Sequence, residues 1–163
     1  MIRKANNYEF EILSDISFKS KKFWNYPEDY FNIWKNELTI TKEYINKNIV
    51  YVYEENDKII AYYSLINNKN DQYFNDVFVE KGWWLEHIFV LPDFINKGIG
   101  TKLIKHIHEI SVINKIDKLK IFSDPNSNGF YDKIGAIKIR KSNSSIKNRE
   151  ILVYELGIKR NVV

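Results

Sequence analysis

Residues 85–105 read LEHIFVLPDFINKGIGTKLIK. The mostly apolar start of this stretch predicts a strand that ends at Pro92. A loop with Gly98 and Gly100 follows, and apolar residues then recur at helical spacing. A glycine loop at a helix start presents unpaired backbone N–H groups and the positive end of the helix dipole at one point. The stretch therefore predicts a phosphate-binding loop.

The spacing of the two glycines excludes two familiar phosphate loops. A dinucleotide-binding loop needs a third glycine where Leu103 stands, and a Walker loop needs glycines five residues apart. The stretch instead resembles the acetyl-CoA loop of the GNAT family of N-acetyltransferases, in which Arg/Gln-x-x-Gly-x-Gly/Ala follows a strand ending in Val-x-Pro. Val90-Leu91-Pro92 matches that strand end, and residues 95–100 match the loop. Ile95 departs from the pattern because Arg or Gln is usual there.

A second motif of the same family follows about 25 residues later. Residues 123–136 read SDPNSNGFYDKIGA and resemble the family's Asn-x-x-Ala-x-x-Phe-Tyr-x-x-x-Gly-Phe region. Phe130, Tyr131 and Gly135 fall at matching offsets, whereas Asp124 stands where Asn is commoner. Two motifs in this order are more specific than either motif alone.

The composition predicts one soluble domain that spans residues 1–163. The chain has no Cys, which excludes disulfides and thiolate nucleophiles. It has no apolar run of about 18 residues and no signal-peptide pattern, so we expect a cytoplasmic protein without a membrane partner. The net charge is +4, but the Lys residues are spread along the chain and only four Arg are present. This pattern favours a solvated Lys surface over a nucleic-acid partner.

The order of the predicted elements defines the fold class. Residues 49–54 and 59–65 predict an antiparallel hairpin, and residues 73–80 predict one additional strand. The full order is strand, helices, antiparallel strands, helix, strand, helix and closing strands. We therefore expect an α/β (α+β) fold with a single mixed, mainly antiparallel sheet flanked by helices. The same order is found in the acetyltransferase fold of the family that the motifs resemble.

The resemblance implies an acetyl-CoA-dependent N-acetyltransferase that releases coenzyme A. A primary amine of a small molecule or a peptide would attack the thioester directly. The resemblance places the pyrophosphate on the glycine loop, where Lys97 adds charge, and the pantetheine arm along the strand that precedes it. The residues expected to bind the cofactor are Ile88, Phe89, Val90, Asn96, Lys97, Gly98, Ile99, Gly100, Thr101 and Asn126.

Glu86 is the favoured general base. On an alternating strand Trp84, Glu86 and Ile88 share one face, so Glu86 is expected to be a carboxylate in an apolar row. Burial there would raise its pKa toward the range that suits a general base. A plain strand-end carboxylate that reaches water is the alternative. His87, on the opposite face, is the competing base, and a water molecule is a third possibility.

Tyr131 is the candidate general acid, since the resemblance places it beside the sulfur of the leaving thiolate. The alternative is a core aromatic residue beside Phe130. His106 and His108 are two apart on a predicted helix, so they face different directions and cannot chelate one metal together. We therefore expect no metal site.

The sequence leaves alternatives for the residues of the acceptor site and for the function of the protein. Five aromatic residues either line an acceptor pocket, where they would hold an ammonium by cation–π contact, or belong to the core, which we favour. These residues are Trp24, Tyr26, Tyr30, Trp83 and Trp84. A non-catalytic acyl-CoA-binding or sensing domain is the alternative function, and a basic nucleic-acid-binding module is a third. Assembly as a homodimer is left open.

Overall fold

The computed structural model describes residues 1–160; residues 161–163, the end of the predicted domain, lie outside the described residues. The helices are α1 (Phe10–Lys22), α2 (Glu28–Leu38), α3 (Lys42–Lys47), α4 (Ile99–Ile113) and α5 (Asn128–Lys133). The strands are β1 (Ile2–Lys4), β2 (Ile49–Glu55), β3 (Lys58–Asn68), β4 (Gln72–Phe74), β5 (Val77–Val79), β6 (Gly82–Val90), β7 (Lys118–Ser123), β8 (Ile137–Asn143) and β9 (Glu150–Gly157).

Seven of these strands form one sheet in the order β1-β2-β3-β6-β7-β9-β8. Strands β1, β2 and β3 pair antiparallel, as do β7, β9 and β8, whereas β6 pairs with β7 in parallel at Trp84 and Lys120. The predicted fold class, a mixed and mainly antiparallel sheet flanked by helices, is confirmed.

The single strand predicted at residues 73–80 is wrong. This region is the hairpin β4–β5, which forms its own two-stranded sheet with Tyr73 opposite Phe78. The chain reverses at Asn75, whose φ of 54° lies in the left-handed region that Asn tolerates. A turn of two residues therefore divides the apolar run into two short strands.

The described residues divide into two compact units. The first contains residues 1–65 and 87–103, and the second contains residues 66–86 together with the described residues from 104 onward. The chain passes from one unit to the other within β3, β6 and α4.

In the first unit, α1 and α2 bury apolar residues that recur at helical spacing. Leu13 and Ile16 of α1 and Trp34 and Leu38 of α2 are buried. Thr41 is the N-cap of α3, because its side chain accepts a hydrogen bond from the backbone N–H three residues on. A hydrogen bond between the Ser17 and Tyr62 hydroxyls holds α1 beside β3.

In the second unit, α4 buries one apolar face, and the closing strands contribute alternate residues to the core. Ile107 and Ile110 of α4 are buried, as are Ile121 of β7 and Val153 of β9. Gly135, which follows the end of α5, has a φ of 88°, as expected of a glycine in this position.

Candidate active site

The glycine loop, in the first unit, has the backbone that its sequence predicts. A 3-10 turn at Pro92–Phe94 follows β6, and α4 begins at Ile99. Between them, Asn96 and Gly98 have φ values of 60° and 80°. A Cβ at Gly98 would meet no atom within 4 Å, so open space lies beside this backbone. The left-handed conformation therefore favours glycine at position 98, and the open side leaves room for a ligand close to the backbone.

Three ammonium groups surround this loop. The Nζ atoms of Lys97 and Lys58 lie 5.3 and 5.8 Å from the centre of the Phe94 ring. Lys102, in the first turn of α4, has its Nζ 3.5 Å from the Tyr53 hydroxyl oxygen. The sequence pointed to Lys97 alone, because Lys58 comes from the distant β2–β3 turn. The cluster favours an anionic ligand.

The strand end predicted to hold the pantetheine arm packs on α1. Ile88, Phe89 and Val90 are half-buried. The Phe89 ring lies 6.0 Å from the ring of Tyr62. The Val90 carbonyl accepts a hydrogen bond of 3.0 Å from the Ser20 hydroxyl. The C-terminal turn of α1 is thereby fixed beside the last residue of β6.

His87 is a buried and fully bonded histidine of the first unit. Its Nε2–H donates to the Glu37 carbonyl at 2.8 Å. A carbonyl can only accept, so Nε2 carries the proton and Nδ1 is left as an acceptor. The hydroxyls of Ser64 and Tyr44 lie 2.9 and 3.2 Å from Nδ1. Both nitrogens are engaged in the core, and the geometry does not favour His87 as the base.

Glu86, in the second unit, is exposed, so its predicted burial in an apolar row is wrong. Alternation along β6 does hold, because Leu85 and His87 on either side are buried. Trp84 is covered by the stacked ring of Phe122, at 4.5 Å between centroids. Glu86 itself is exposed on the surface of the strand.

Tyr131, on α5 in the second unit, is only 5% exposed. Its ring packs against those of Phe130 and Tyr154, at 5.4 and 5.5 Å between centroids. Burial, and then the nearby Asp124 carboxylate, raise the pKa of the Tyr131 phenol well above its usual value. The phenol therefore keeps its proton where an exposed tyrosine would ionise, and it can act as a hydrogen-bond donor.

Asp124 connects the start of α5 to the β8–β9 loop. One carboxylate oxygen accepts a hydrogen bond of 2.8 Å from the backbone N–H of Asn126. The other lies 3.8 Å from a guanidinium nitrogen of Arg149. Sequence reasoning did not pair Arg149 with Asp124, since the two residues are distant in the chain. The pair fixes the loop beside the segment that carries Asn126 and Tyr131.

The five aromatic candidates for the acceptor site separate into different environments. Trp84 is a core residue, as favoured, and Trp24 is 42% exposed. Tyr26 and Tyr30 are half-buried, and their rings pack against that of Trp34. Trp34 was not among the candidates for the acceptor site. Trp83 is half-buried.

Two general features of the described residues bear on the kind of site. Among residues 1–160, no helix is both long enough and apolar enough to cross a membrane. In the same part of the chain, no group of three or more His, Asp or Glu side chains is placed to hold a metal ion. His108 instead accepts a hydrogen bond at Nδ1 from the Lys159 backbone N–H.

Comparisons with known proteins agree with this geometry. The family model described as an acetyltransferase (GNAT) domain matches residues 46–135. The chain is 23% identical over 110 residues to the peptidyl-lysine N-acetyltransferase YiaC of Escherichia coli (strain K12), and the match covers 67% of this chain but only 65% of that relative.

Solved structures share the fold over almost the whole chain. A GCN5-related N-acetyltransferase from Rhodopseudomonas palustris has a TM-score of 0.75 at 13% identity, covering 96% of this chain and 94% of its own. The PaiA N-acetyltransferase of Thermoplasma acidophilum, solved with coenzyme A, has a TM-score of 0.72 at 18% identity, covering 96% and 98%. At these identities the likeness shows the fold alone.

Proposed function

The chain belongs to the acetyltransferase (GNAT) domain family, and from that premise we propose that it transfers an acetyl group from acetyl-CoA to a primary amine of a small molecule or a peptide. Membership of the family supports the predicted enzyme class, N-acetyltransferase, and the predicted cofactor, acetyl-CoA. The identity of the acceptor amine belongs to the proposal.

The glycine loop is the observation that carries the proposal. Open space lies beside the left-handed Gly98, and the first turn of α4, which follows directly, is where a helix has N–H groups without partners inside the helix. The ammonium groups of Lys58 and Lys97 add positive charge. This arrangement is suited to a pyrophosphate, and it compensates for Ile95, which cannot donate the hydrogen bonds of Arg or Gln.

Two side chains of the second unit have the chemistry that the transfer needs. Acetyl-CoA supplies the acetyl group as a thioester. In the proposed reaction, Glu86 takes a proton from the acceptor ammonium, directly or through a water molecule, and the amine nitrogen then bonds to the carbonyl carbon. The C–S bond breaks with its electron pair on sulfur, and the Tyr131 hydroxyl gives its proton to that sulfur. The nitrogen gives up its second proton as the amide forms, and this proton returns Tyr131 to its neutral form through a water molecule. Glu86 releases the first proton to solvent.

We further propose that the two units act together as the single domain predicted from the sequence. The chain passes between them within β3, β6 and α4 and not through a separate linker. Domain boundaries usually fall in exposed linkers with few contacts. Limited proteolysis tests this proposal, since independent domains would be released as separate stable fragments.

The class of acceptor follows from two similar proteins and remains broad. The similar E. coli protein is named for acetylation of peptidyl-lysine, and one structure with the same fold is an aminoglycoside 6'-acetyltransferase. A lysine side chain and an aminoglycoside both carry primary amines. The proposal therefore covers a lysine side chain of a peptide and an amine of a small molecule.

Release of coenzyme A from acetyl-CoA tests the proposed activity. The chain has no Cys, so a thiol reagent detects the released coenzyme A without background from the protein. The panel contains a lysine peptide, spermidine and an aminoglycoside. Amine-dependent release above hydrolysis supports the proposal.

Binding of acetyl-CoA without transfer of the acetyl group would indicate a different function. Saturating acetyl-CoA, at a hundredfold excess over Kd, should stabilise the folded protein by about 2.7 kcal/mol, measured as a thermal shift. A thermal shift without amine-dependent release across the panel would favour a non-catalytic acyl-CoA sensor. Absence of a thermal shift would contradict cofactor binding itself.

A further inference from the structure

Three aromatic rings of the first unit meet where α1 ends and α2 begins. The centroids of Tyr26 and Tyr30 lie 5.0 and 5.4 Å from that of Trp34, with interplanar angles of 86° and 72°. Trp34 is 2% exposed, whereas the two tyrosines are half-buried. The rings therefore form a corner with a buried floor and half-exposed walls, which we call the aromatic corner.

Local sequence explains this arrangement. Tyr30 and Trp34 are four residues apart on α2, so they lie on the same face of the helix. Asn25 has a φ of 54° and turns the chain after α1. Pro27 stands directly before the first residue of α2, so Tyr26 lies at the end of an extended segment beside the helix. The aromatic corner is thus held by backbone geometry.

An alkylammonium group already lies over the aromatic corner. The Nζ atom of Lys21 is 4.6 Å from the centre of the Trp34 ring and 5.8 Å from that of Tyr26. Both distances are within cation–π range, and tryptophan is the strongest aromatic partner for a cation. The group held here, a primary ammonium on an unbranched four-carbon stem, has the chemistry of an acceptor amine.

Neighbouring lysines show that this position is particular to Lys21. The Lys19 ammonium pairs with Asp15 at 2.9 Å, and both side chains are more than half exposed. The Lys22 ammonium lies 5.7 Å from a different ring, that of Phe31. Only one of these three ammonium groups therefore lies over the aromatic corner.

Lys21 is adjacent in the chain to a residue that contacts the strand proposed to bind the cofactor. The preceding residue, Ser20, donates its hydroxyl hydrogen bond to the Val90 carbonyl at 3.0 Å. Val90 is the last residue of β6, the strand proposed to carry the pantetheine arm. The ammonium over the aromatic corner thus comes from the residue next to that contact.

We propose that the aromatic corner of Tyr26, Tyr30 and Trp34 is a binding site for the alkylammonium group of the acceptor, and that the Lys21 ammonium occupies it until an acceptor displaces it. The identification of the bound ammonium as the acceptor rests on the proposed function. The class of ligand is a primary ammonium on an unbranched alkyl chain, as in a lysine side chain or a polyamine.

A direct binding experiment tests the site without acetyl transfer. Lys21→Met keeps an aliphatic stem and removes the ammonium. The probe is n-butyltrimethylammonium, a cation that cannot be acetylated, and isothermal titration calorimetry measures its affinity. We expect the Lys21→Met variant to bind the probe at least about tenfold more tightly than the wild type, because the internal competitor is gone.

Matched variants separate this effect from a general change of charge. Lys22→Met removes the adjacent ammonium and is expected to leave the affinity for the probe unchanged. Tyr26→Leu or Tyr30→Leu, each combined with Lys21→Met, should weaken binding of the probe, and circular dichroism identifies which double variant is folded. Equal affinity in the wild type and Lys21→Met would overturn the proposal, as would unchanged binding in a folded double variant.

Kinetics then identify the source of the ammonium. In Lys21→Met, KM should fall for Nα-acetyl-lysine amide if the acceptor is a lysine side chain, or for spermidine if it is a polyamine, with KM for acetyl-CoA unchanged. A rise in KM for both amines would contradict the proposal that the acceptor displaces the Lys21 ammonium. Binding of the probe as expected, without amine-dependent release of coenzyme A, would support the cation site and contradict the proposed function.

Discussion

Two adjacent residues, Glu86 and His87, have opposite environments because successive side chains of a strand point to opposite faces. His87 faces the core, where a carbonyl and two hydroxyls engage both ring nitrogens. Glu86 faces outward. This difference favours Glu86 over His87 as the proposed base, although not for the burial that the sequence suggested.

Glu86→Gln tests this assignment, since it keeps the shape of the side chain and removes the basic group. We expect kcat to fall by about 100-fold, the lower end of the range for general acid–base catalysis, with KM for acetyl-CoA unchanged. Release of coenzyme A measures both constants. A variant that keeps more than half of the wild-type kcat would remove Glu86 from the mechanism.

Tyr131→Phe tests the proposed acid. Burial and the Asp124 carboxylate raise the pKa of the phenol, so Tyr131 should stay protonated above pH 10, where an ordinary tyrosine ionises. We expect the kcat of the wild type to show no loss from Tyr131 ionisation up to about pH 10. The variant should lose about tenfold in kcat, less than is usual for a general acid because a thiolate leaves readily. A fully active Tyr131→Phe would instead leave Tyr131 as a core aromatic residue.

At the scale of elements, the loop between β6 and α4 combines a backbone requirement with a binding requirement. Gly98 has a φ of 80°, and a Cβ there would meet open space. A larger residue would therefore cost strain of about 1–3 kcal/mol in the backbone without a steric clash in the free protein. Its side chain would then extend into the space proposed for the phosphates.

Gly98→Val is expected to raise the Kd for acetyl-CoA by at least about tenfold, because the strained loop no longer presents its N–H groups to the pyrophosphate. Isothermal titration calorimetry measures this change. Gly157→Ala is a matched control, since its Cβ also meets no atom within 4 Å and its φ is not left-handed. Equal losses of affinity in both variants would contradict a specific role for the loop.

At the scale of the whole molecule, an ion-pair cluster ties β1 to β2. The Arg3 guanidinium bonds to the carboxylates of Glu9, at 2.7 Å, and Glu54, at 3.2 Å. Burial tends to raise the pKa of Glu9, but hydrogen bonds from Arg3 and the Asn6 backbone outweigh it and leave the pKa below its ordinary value of 4.5. Glu9 therefore stabilises the fold above that pH, and the contribution is lost as pH falls through the lowered pKa.

Arg3→Met should lower the free energy of unfolding by about 3 kcal/mol at neutral pH, because it leaves the buried Glu9 carboxylate without its partner. The difference from the wild type should shrink at an acid pH that lies below the lowered pKa of Glu9. Urea unfolding at both values measures this. Lys19→Met, which breaks the exposed pair with Asp15, should cost less than about 0.5 kcal/mol. A deficit in Arg3→Met that is independent of pH would contradict the role of Glu9.

The elements that could be predicted are those encoded by short-range chemistry. The β2–β3 hairpin, the Thr41 cap, the glycine loop and the Gly135 end of α5 each depend on a few neighbouring residues. The β4–β5 hairpin was missed because its turn at Asn75 interrupts an apolar run without Gly or Pro. The turn residue Asn75 was thus present in the sequence, but the apolar residues on both sides of it favoured the prediction of one continuous strand.

The sequence by itself determined the order of elements, the backbone of the phosphate loop and the alternation of Glu86 with His87, because each depends on residues within a turn or two of one another. Only the tertiary structure decided which face of β6 is covered. It also decided that the ammonium groups of Lys58 and Lys97 both lie near the Phe94 ring, and that the Lys21 ammonium lies over the Trp34 ring. The physical reason is that burial and charge depend on packing between segments distant in the chain, and no local pattern encodes these contacts.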